Sequence, residues 1–390
     1  IQWPVTASAP RGTARLFESG RFYTESGRAR LWPVSARAPR QATDADFPLR
    51  LNSGRVRDQW HTMTRTARAS RLMNHRSEPF VEVHRDDAEA LGLCDQGLAR
   101  IRSRSGEMRA RVRVSAAQRR GEVFVPIHWT PRFSHSPLAG SLFAPDVDPL
   151  SGQPETKHGA VAVTPLQHAW EATLVVSRAL AQQGPPEGSG LAARVVEGTN
   201  YWTRVPLASA ERWQLAGEPI EPGGVEKGSV EKAGVERDWL DWAARQLPGE
   251  LGPVAQDPAS GRWRLAGFEQ GRLCWWLMVG PVSELPGLGW LCERFDEAAR
   301  GEAMGQQHRR RVLAACHDGA ADQGPIVCSC HQVGRTPIQR AIRAGDDSVE
   351  ALGARLACGT QCGSCIPELK SLVEEEKSRG RIERAQPQSA

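Results

Sequence analysis

Four cysteines near the C-terminus state the chemistry of this chain most plainly: Cys328-Ser329-Cys330, then Cys362-Gly363-Ser364-Cys365. Two thiolate pairs, separated by roughly thirty residues, can close around one metal centre. Four thiolates suit either zinc or an iron–sulfur cluster. The first pair is Cys-x-Cys, tighter than the spacing usual for structural zinc, which favours the cluster. A cluster with net negative charge also gains from backbone N–H groups at a helix N-terminus, and Gly363, Ser364 and Cys365 lead directly into a predicted helix. Zinc and unligated structural cysteines are the alternatives. A fifth cysteine, Cys358, reads as a reduced, partly buried thiol, the alternative being that it ligates in place of Cys362.

Short helices must position these thiols. Thr336-Pro337-Ile338-Gln339 reads as a capping box with proline at the first helical position, and Asp347-Ser348-Val349-Glu350 as a second. Apolar residues recur at helical spacing: Ile338, Ala341, Ile342; then Val349, Leu352, Leu356; then Ile366, Leu369, Leu372, Val373. The cysteine pairs therefore lie on turns that tie short helices together. Residues 326–373, IVCSCHQVGRTPIQRAIRAG followed by ACGTQCGSCIPELKSLV, resemble the [2Fe-2S] domain of the bacterioferritin-associated ferredoxin type. That resemblance implies a small helical fold, electron transfer, and Cys328, Cys330, Cys362 and Cys365 as the cluster ligands. His331 and Lys370 lie near enough in sequence to tune its potential.

A second group of residues sits near the start. Asn52-Ser53-Gly54-Arg55 ends a strand, and Asp58-Gln59-Trp60-His61-Thr62-Met63-Thr64-Arg65 follows without apolar periodicity. Glycine for close backbone approach, arginine for phosphates, and amides and a carboxylate for base edges are what a pyrophosphate and a purine need. A polar surface loop has the same composition. Around it, Pro48 to Leu51, Phe80 to Val83, Leu98 to Arg104, Met108 to Val114 and Gly121 to Ile127 read as short strands, with a helix over Asp86 to Leu91 ending at Gly92. Many short strands with glycine turns suggest a barrel over residues 45–166.

Residues 47–166 resemble the molybdopterin-dinucleotide-binding domain of the dimethyl-sulfoxide-reductase superfamily. The resemblance is carried by LRLNSGRVRDQWHTMTRT, DDAEALGLCDQGLARIRSRSGEM, GEVFVPIHW and DPLSGQPETKHGAVAV. It implies a six-stranded double-psi β-barrel and molybdenum bis(molybdopterin guanine dinucleotide). By motif it places Asn52, Gly54, Arg55, Gln59, Trp60, His61, Thr62 and Thr64 on the first cofactor-contacting loop, and His128, Trp129 and Lys157 on later ones. Read without it, His61 is equally a satisfied loop histidine, Trp129 plain core and Lys157 a solvated cation. Barrel and cysteine module together resemble the large subunit of the cytoplasmic assimilatory nitrate reductases. That implies nitrate as substrate and electrons from a reductase subunit or ferredoxin, passed through a [4Fe-4S] cluster in an N-terminal part that has no counterpart here. Formate dehydrogenase or another oxoanion reductase is the rival within the superfamily. A non-catalytic electron carrier or zinc-stabilised binding module is the rival outside it.

Composition sets outer bounds. At 390 residues the chain has room for two or three cores. A net charge of +5 is too small and dispersed to argue for nucleic acid. No run of about eighteen apolar residues argues for a membrane span, and no secretory signal is present. Cys94, Cys274, Cys292 and Cys316 are scattered, which suits a reducing cytosol. The expected organisation is multidomain α+β. Residues 1–44 read as the tail of a preceding domain, so the chain reads as a fragment. Residues 167–325 read as a small α+β spacer, 326–376 as the short helical cluster domain and 377–390 as a polar tail. Within the spacer, 184–190 and 217–237 read as linkers, the second containing the near-repeat VEKGS, VEKAG, VERDW. Arg262 to Phe268 and Arg272 to Val279 read as a hairpin turning at Glu269-Gln270-Gly271, and the spacer's tryptophans as core. Cys316-His317 is left structural.

Overall fold

The computed structural model describes residues 3–182, 190–218, 238–257, 259–315 and 323–385. Residues up to Arg40 form a unit of their own. Among its described residues there are turns and one isolated bridge, Thr6 to Ala9, but no named helix or strand.

From Gln41 onward, the first body is the expected barrel. Its strands are β1 (Leu49–Gly54), β2 (Phe80–Val83), β3 (Leu98–Arg102), β4 (Glu107–Val114), β5 (Glu122–Pro126) and β6 (Gly159–Pro165). They close in the order β1-β5-β2-β4-β3-β6. The β1–β5 and β2–β4 pairs are parallel and the others antiparallel; β3 and β4 form a hairpin, and crossovers link the other strands. Side chains alternate inward and outward along β1: Leu49, Leu51 and Ser53 are buried while Arg50 and Asn52 are exposed. Leu51, Val81, Ile101, Met108, Val123, Val125 and Val161 fill the interior. A barrel this small is packed shut, so any ligand must lie over its strand ends and loops. Short helices α1 (Ser70–Met73) and α2 (Arg85–Ala90) flank β2. Gly92, at φ +66, turns the chain after α2 in the left-handed conformation that glycine adopts without a Cβ clash.

The second body is a six-stranded antiparallel sheet: β7 (Trp170–Ser177), β8 (Tyr201–Pro206), β9 (Ala210–Gly217), β10 (Glu250–Asp257), β11 (Arg262–Glu269) and β12 (Arg272–Val279). Its order is β10-β11-β12-β7-β9-β8. The expected β11–β12 hairpin is present, and Gln270 and Gly271 both take positive φ at its turn, as a two-residue hairpin of this hand requires. Both faces are covered. Helices α3 (Arg178–Ala181), α4 (Leu191–Val196) and α5 (Trp239–Gln246) pack on one face, over Trp213, Trp263 and Trp275. Helix α6 (Gly289–Ala299), followed by α7 (Gln306–Arg311), shares the other with Met63, Met73, Trp129 and Phe133 from the barrel's loops. The tryptophans are core, as expected. A polar seam joins the two bodies: Arg111 of β4 binds Glu78 and Glu171, and the Tyr201 hydroxyl donates to Glu78 at 2.9 Å.

The third body holds β13 (Ile326–Cys328), β14 (Val333–Gly334), α8 (Arg335–Arg343), α9 (Val349–Leu356) and α10 (Ile366–Ala385). Its core uses the expected residues, among them Ile338, Ile342, Leu352, Leu369 and Leu372. The caps differ from expectation. Helix α8 starts before Thr336, with Gly334 at the N-cap and no side-chain cap. Gln323 caps it instead: its carbonyl accepts from the Thr336 N–H and its amide oxygen from the Gly334 N–H. At α9 the cap is Ser348, whose hydroxyl accepts from the Ala351 N–H at 3.1 Å, not Asp347 paired with Glu350. Helix α10 continues past residue 376 to Ala385, through most of the expected tail. The expected linker residues 184–189 and 219–237, the Cys316-His317 pair and residues 386–390 lie outside the described residues. Among the described residues no helix is long and apolar enough to cross a membrane.

Candidate functional site

The end of β1 and the loop beyond it form an open polar edge. Gly54 ends the strand where a Cβ would lie 2.7 Å from the Phe124 ring, so only glycine fits without displacement. Asn52, Arg55, Trp60, His61, Thr62 and Thr64 are exposed there, with Trp60 and His61 rings 4.4 Å apart. Lys157, also exposed, reaches the end of β1 and donates to the Ser53 carbonyl. The Ser53 hydroxyl in turn donates to the Thr156 carbonyl at 2.6 Å, tying the two segments together. Beside Thr64 opens a cavity of about 380 Å³ to which Arg68, Arg132, Arg178 and Arg204 bring positive charge.

The other three expected residues face inward and shape this edge from behind. His128 is fully buried. Its Nε2 accepts the Val56 N–H at 2.9 Å, which leaves Nδ1 to donate to the His61 carbonyl at 2.7 Å. Burial holds His128 below its ordinary pKa, and the neutral ring is the form that can do both. Gln59 is buried too: its amide donates to the Leu72 carbonyl at 3.0 Å and accepts from the Thr66 hydroxyl at 2.6 Å. Trp129 is 1% exposed and belongs to the sheet's core. The loop holds two non-glycine residues at positive φ, His61 and Met63, and Met63 is pinned fully buried in the same core. Gln59, His128 and Trp129 thus support the loop, and the exposed residues are free to meet a ligand.

The four expected thiols meet across the two motifs. Cys330 and Cys362 sulfurs lie 3.2 Å apart, with Cys362 exposed. Cys328 and Cys365 are both buried, and Cys328 contacts Cys365 and Cys358. The site therefore has one edge open to solvent and one edge inside. Burial pushes Cys365 up to about 11 and Cys358 up to about 12, with the Cys328 sulfur adding to both. Cys362 is held below the ordinary thiol value by the hydroxyl and the N–H of Ser364, the hydroxyl 3.2 Å from its sulfur.

The sequence profile of the Molydopterin dinucleotide binding domain matches residues 49–160, and that of the BFD-like [2Fe-2S] binding domain matches residues 326–375. This chain carries both of these domains. It is 36% identical over 381 residues to the nitrate reductase of Klebsiella oxytoca, covering 96% of this chain and 38% of that one. It is 25% identical over 413 residues to the nitrate reductase of Shewanella frigidimarina, covering 96% and 39%. The chain is also 34% identical over 129 residues to the F420-dependent formate dehydrogenase subunit alpha of Methanocaldococcus jannaschii, covering 33% of this chain and 19% of that one. The chain thus spans about two fifths of the length of the nitrate reductases it matches. The solved acetylene hydratase of Pelobacter acetylenicus aligns over 34% of this chain and 21% of its own, at 18% identity and a TM-score of 0.29, too low to relate the two folds.

The donor sets fit the groups these domains take. Guanidinium, ammonium, hydroxyl and amide groups around an exposed tryptophan suit a dinucleotide laid along the loop of the dinucleotide-binding domain. Among the described residues no three His, Cys, Asp or Glu side chains converge as a single metal ion would need. The thiols that meet, Cys330 with Cys362 and Cys328 with Cys365, are the donor type an iron–sulfur centre takes.

One set of residues was not foreseen from sequence. The [2Fe-2S] domain is seated on the segment from Arg57 to Arg76 that follows β1. The Arg57 guanidinium donates to the carbonyls of Val327 and Ser364, the latter at 3.3 Å, and lies 3.2 Å from Glu368. His75 pairs with Asp58 and has its Nε2 3.3 Å from Glu368, and Asn74 donates to Gln332 at 2.6 Å. Burial acts to raise Asp58 and Glu368, yet His75 and Arg57 outweigh it and hold both carboxyls below their ordinary values. Both are therefore ionised at neutral pH. The only advance signal was the polar composition of this loop, because each partner lies far along the chain.

Proposed function

We propose that this chain is the C-terminal part of a cytoplasmic, molybdenum-dependent nitrate reductase that reduces nitrate to nitrite in nitrate assimilation. The observation that carries this reading is the likeness to the Klebsiella oxytoca nitrate reductase, which runs through the barrel, the sheet and the four-cysteine domain together. The reaction consumes two electrons and two protons and yields nitrite and water. The molybdenum cofactor, when bound, supplies oxygen-atom transfer, and the iron–sulfur centres supply electrons one at a time.

The chain's own share is binding and orientation. Arg55 and Lys157 answer the charge of a pyrophosphate, while Asn52, His61, Thr62 and Thr64 offer hydrogen bonds and Trp60 a flat face. Gln59, His128 and Met63 keep that loop in one shape, so its donors are set before the ligand arrives. The [2Fe-2S] domain offers its open edge, Cys330 and Cys362, to a reductase subunit or ferredoxin. On this reading the [4Fe-4S] cluster and the molybdenum ligand fall to the part of the nitrate reductases' length that this chain does not span.

The test is made on the full-length protein that contains this chain, purified anaerobically. Nitrate-dependent oxidation of a reduced dye, with molybdenum bound and about two iron and two sulfide beyond the upstream cluster, is the expected result. Formate oxidation without nitrate reduction would move the assignment to a formate dehydrogenase, the second reading, which the partial likeness to the Methanocaldococcus jannaschii subunit favours. Turnover of neither substrate would leave an electron carrier.

A further inference from the structure

Arg57 belongs to the barrel's loop but directs its guanidinium into the [2Fe-2S] domain. One Nη donates to the carbonyl of Val327, the residue before Cys328. The other donates at 3.3 Å to the carbonyl of Ser364, the residue before Cys365. Cys328 and Cys365 are the two buried members of the four-thiol set. Asp58 and Glu368 flank the same guanidinium at 3.3 and 3.2 Å. Two residues earlier stands Arg55, exposed on the dinucleotide loop. A planar guanidinium can hold two separate carbonyls while keeping its charge fixed, which an ammonium does poorly.

We propose that Arg57 is a positioning residue that fixes the buried edge of the [2Fe-2S] site against the dinucleotide-binding loop and raises the cluster's reduction potential. The proposal rests on the reading of Cys328, Cys330, Cys362 and Cys365 as cluster ligands. Reduction adds one electron and one negative charge, so a fixed cation at that edge stabilises the reduced form and a fixed carboxylate destabilises it. Removing Arg57 leaves Asp58 and Glu368 less compensated, with His75 still beside both, and the potential falls. Removing the Glu368 charge leaves Arg57 less compensated, and the potential rises. His331 and Lys370 are less suited to this role: Lys370 is exposed, and His331 is exposed with its Nε2 3.4 Å from the Thr360 hydroxyl.

The experiment is an anaerobic potentiometric titration of the full-length holoprotein, read by the electron paramagnetic resonance signal of the reduced [2Fe-2S] centre, with iron and sulfide measured in each sample. Arg57→Gln should keep its iron and sulfide and titrate at a lower potential than the parent. Arg57→Lys should return most of that shift, and Glu368→Gln should shift it upward. Opposite signs for the two neutralising variants are a signature that general loosening cannot give. Unchanged potential in Arg57→Gln at full iron content overturns the proposal, as does a downward or absent shift in Glu368→Gln. If Arg57→Gln loses its cluster, the direction in Glu368→Gln decides alone. A parent protein without the iron and sulfide of a [2Fe-2S] centre overturns the ligand assignment instead, and that outcome is distinct from a failure of Arg57.

Discussion

Arg111 of the barrel and Glu171 of the neighbouring sheet meet at 3.0 Å with both side chains more than nine-tenths buried. The same guanidinium holds Glu78 at 2.9 Å and the Gln96 carbonyl at 2.9 Å, so every side of the buried cation is answered. Breaking one member of such a group leaves charge stranded away from water, at a cost of about 3–5 kcal/mol. Arg111→Leu should therefore destabilise the protein by about that amount in urea unfolding. Adding Glu78→Gln and Glu171→Gln to the same variant should recover part of the loss, because the stranded carboxylates are then gone.

The seam also makes stability depend on pH. His168 Nε2 lies 3.2 Å from Glu171, and this hydrogen bond raises His168 above 6.5 against the opposing effect of burial. Glu171 lies below 4.5, because His168 and Arg111 outweigh burial, which acts to raise it. The histidine's contribution is complete below 6.5 and is lost as pH rises through its folded value; the glutamate's is complete above 4.5 and is lost as pH falls. Both are complete between pH 4.5 and 6.5. The unfolding free energy should fall from about pH 6 to about pH 8, by no more than about 1 kcal/mol for a partly exposed histidine, read as a lower urea midpoint. His168→Gln should flatten that slope.

The thiols separate into ligands and bystander by a simple substitution pair. Cys362 is exposed and 3.2 Å from Cys330, whereas Cys358 is 1% exposed and turned toward the Leu356 carbonyl within the domain's core. Cys362→Ser should abolish the [2Fe-2S] contribution to the visible absorption. Cys358→Ser should keep it. Absorption lost from Cys358→Ser and kept in Cys362→Ser would exchange the two assignments.

On the dinucleotide loop, inward and outward residues should fail differently. His128→Leu removes partners from the part-buried Val56 N–H and His61 carbonyl, and should cost about 1–3 kcal/mol in thermal unfolding. Trp60→Ala, at an exposed position, should change stability by less than about 0.5 kcal/mol. It should instead lower the amount of guanine nucleotide released from the purified holoprotein on acid treatment. A large stability loss from Trp60→Ala would place that ring in the fold rather than at the ligand.

What was legible from sequence follows the range of the interactions. The strands Phe80 to Val83 and Met108 to Val114 and the apolar spacing of α8 and α9 could be read because period-two and 3.6-residue patterns are local. The β11–β12 hairpin could be read from its glycine turn. Strands β7 and β9 were not foreseen, because strands buried on both faces lack alternation, and the edge strands β8 and β10 were missed with them, β10 being mostly exposed. The motif around Gln59 and His128 gave position along the chain but not the direction of the side chain, and both point inward. Arg57 was passed over in favour of Arg55, since its partners are Val327, Ser364 and Glu368, and nothing local marks a contact over some three hundred residues.

Met63 and Trp129 carry a consequence for anyone who would borrow the dinucleotide-binding barrel. By strand order it is self-contained, yet these two side chains are roots sunk in the adjacent sheet, against Phe268, Trp276 and Phe295. Excised at residue 166, the barrel would keep its own packed interior and lose the footing of the one loop worth transplanting. The cassette that can be moved between proteins is barrel and sheet together.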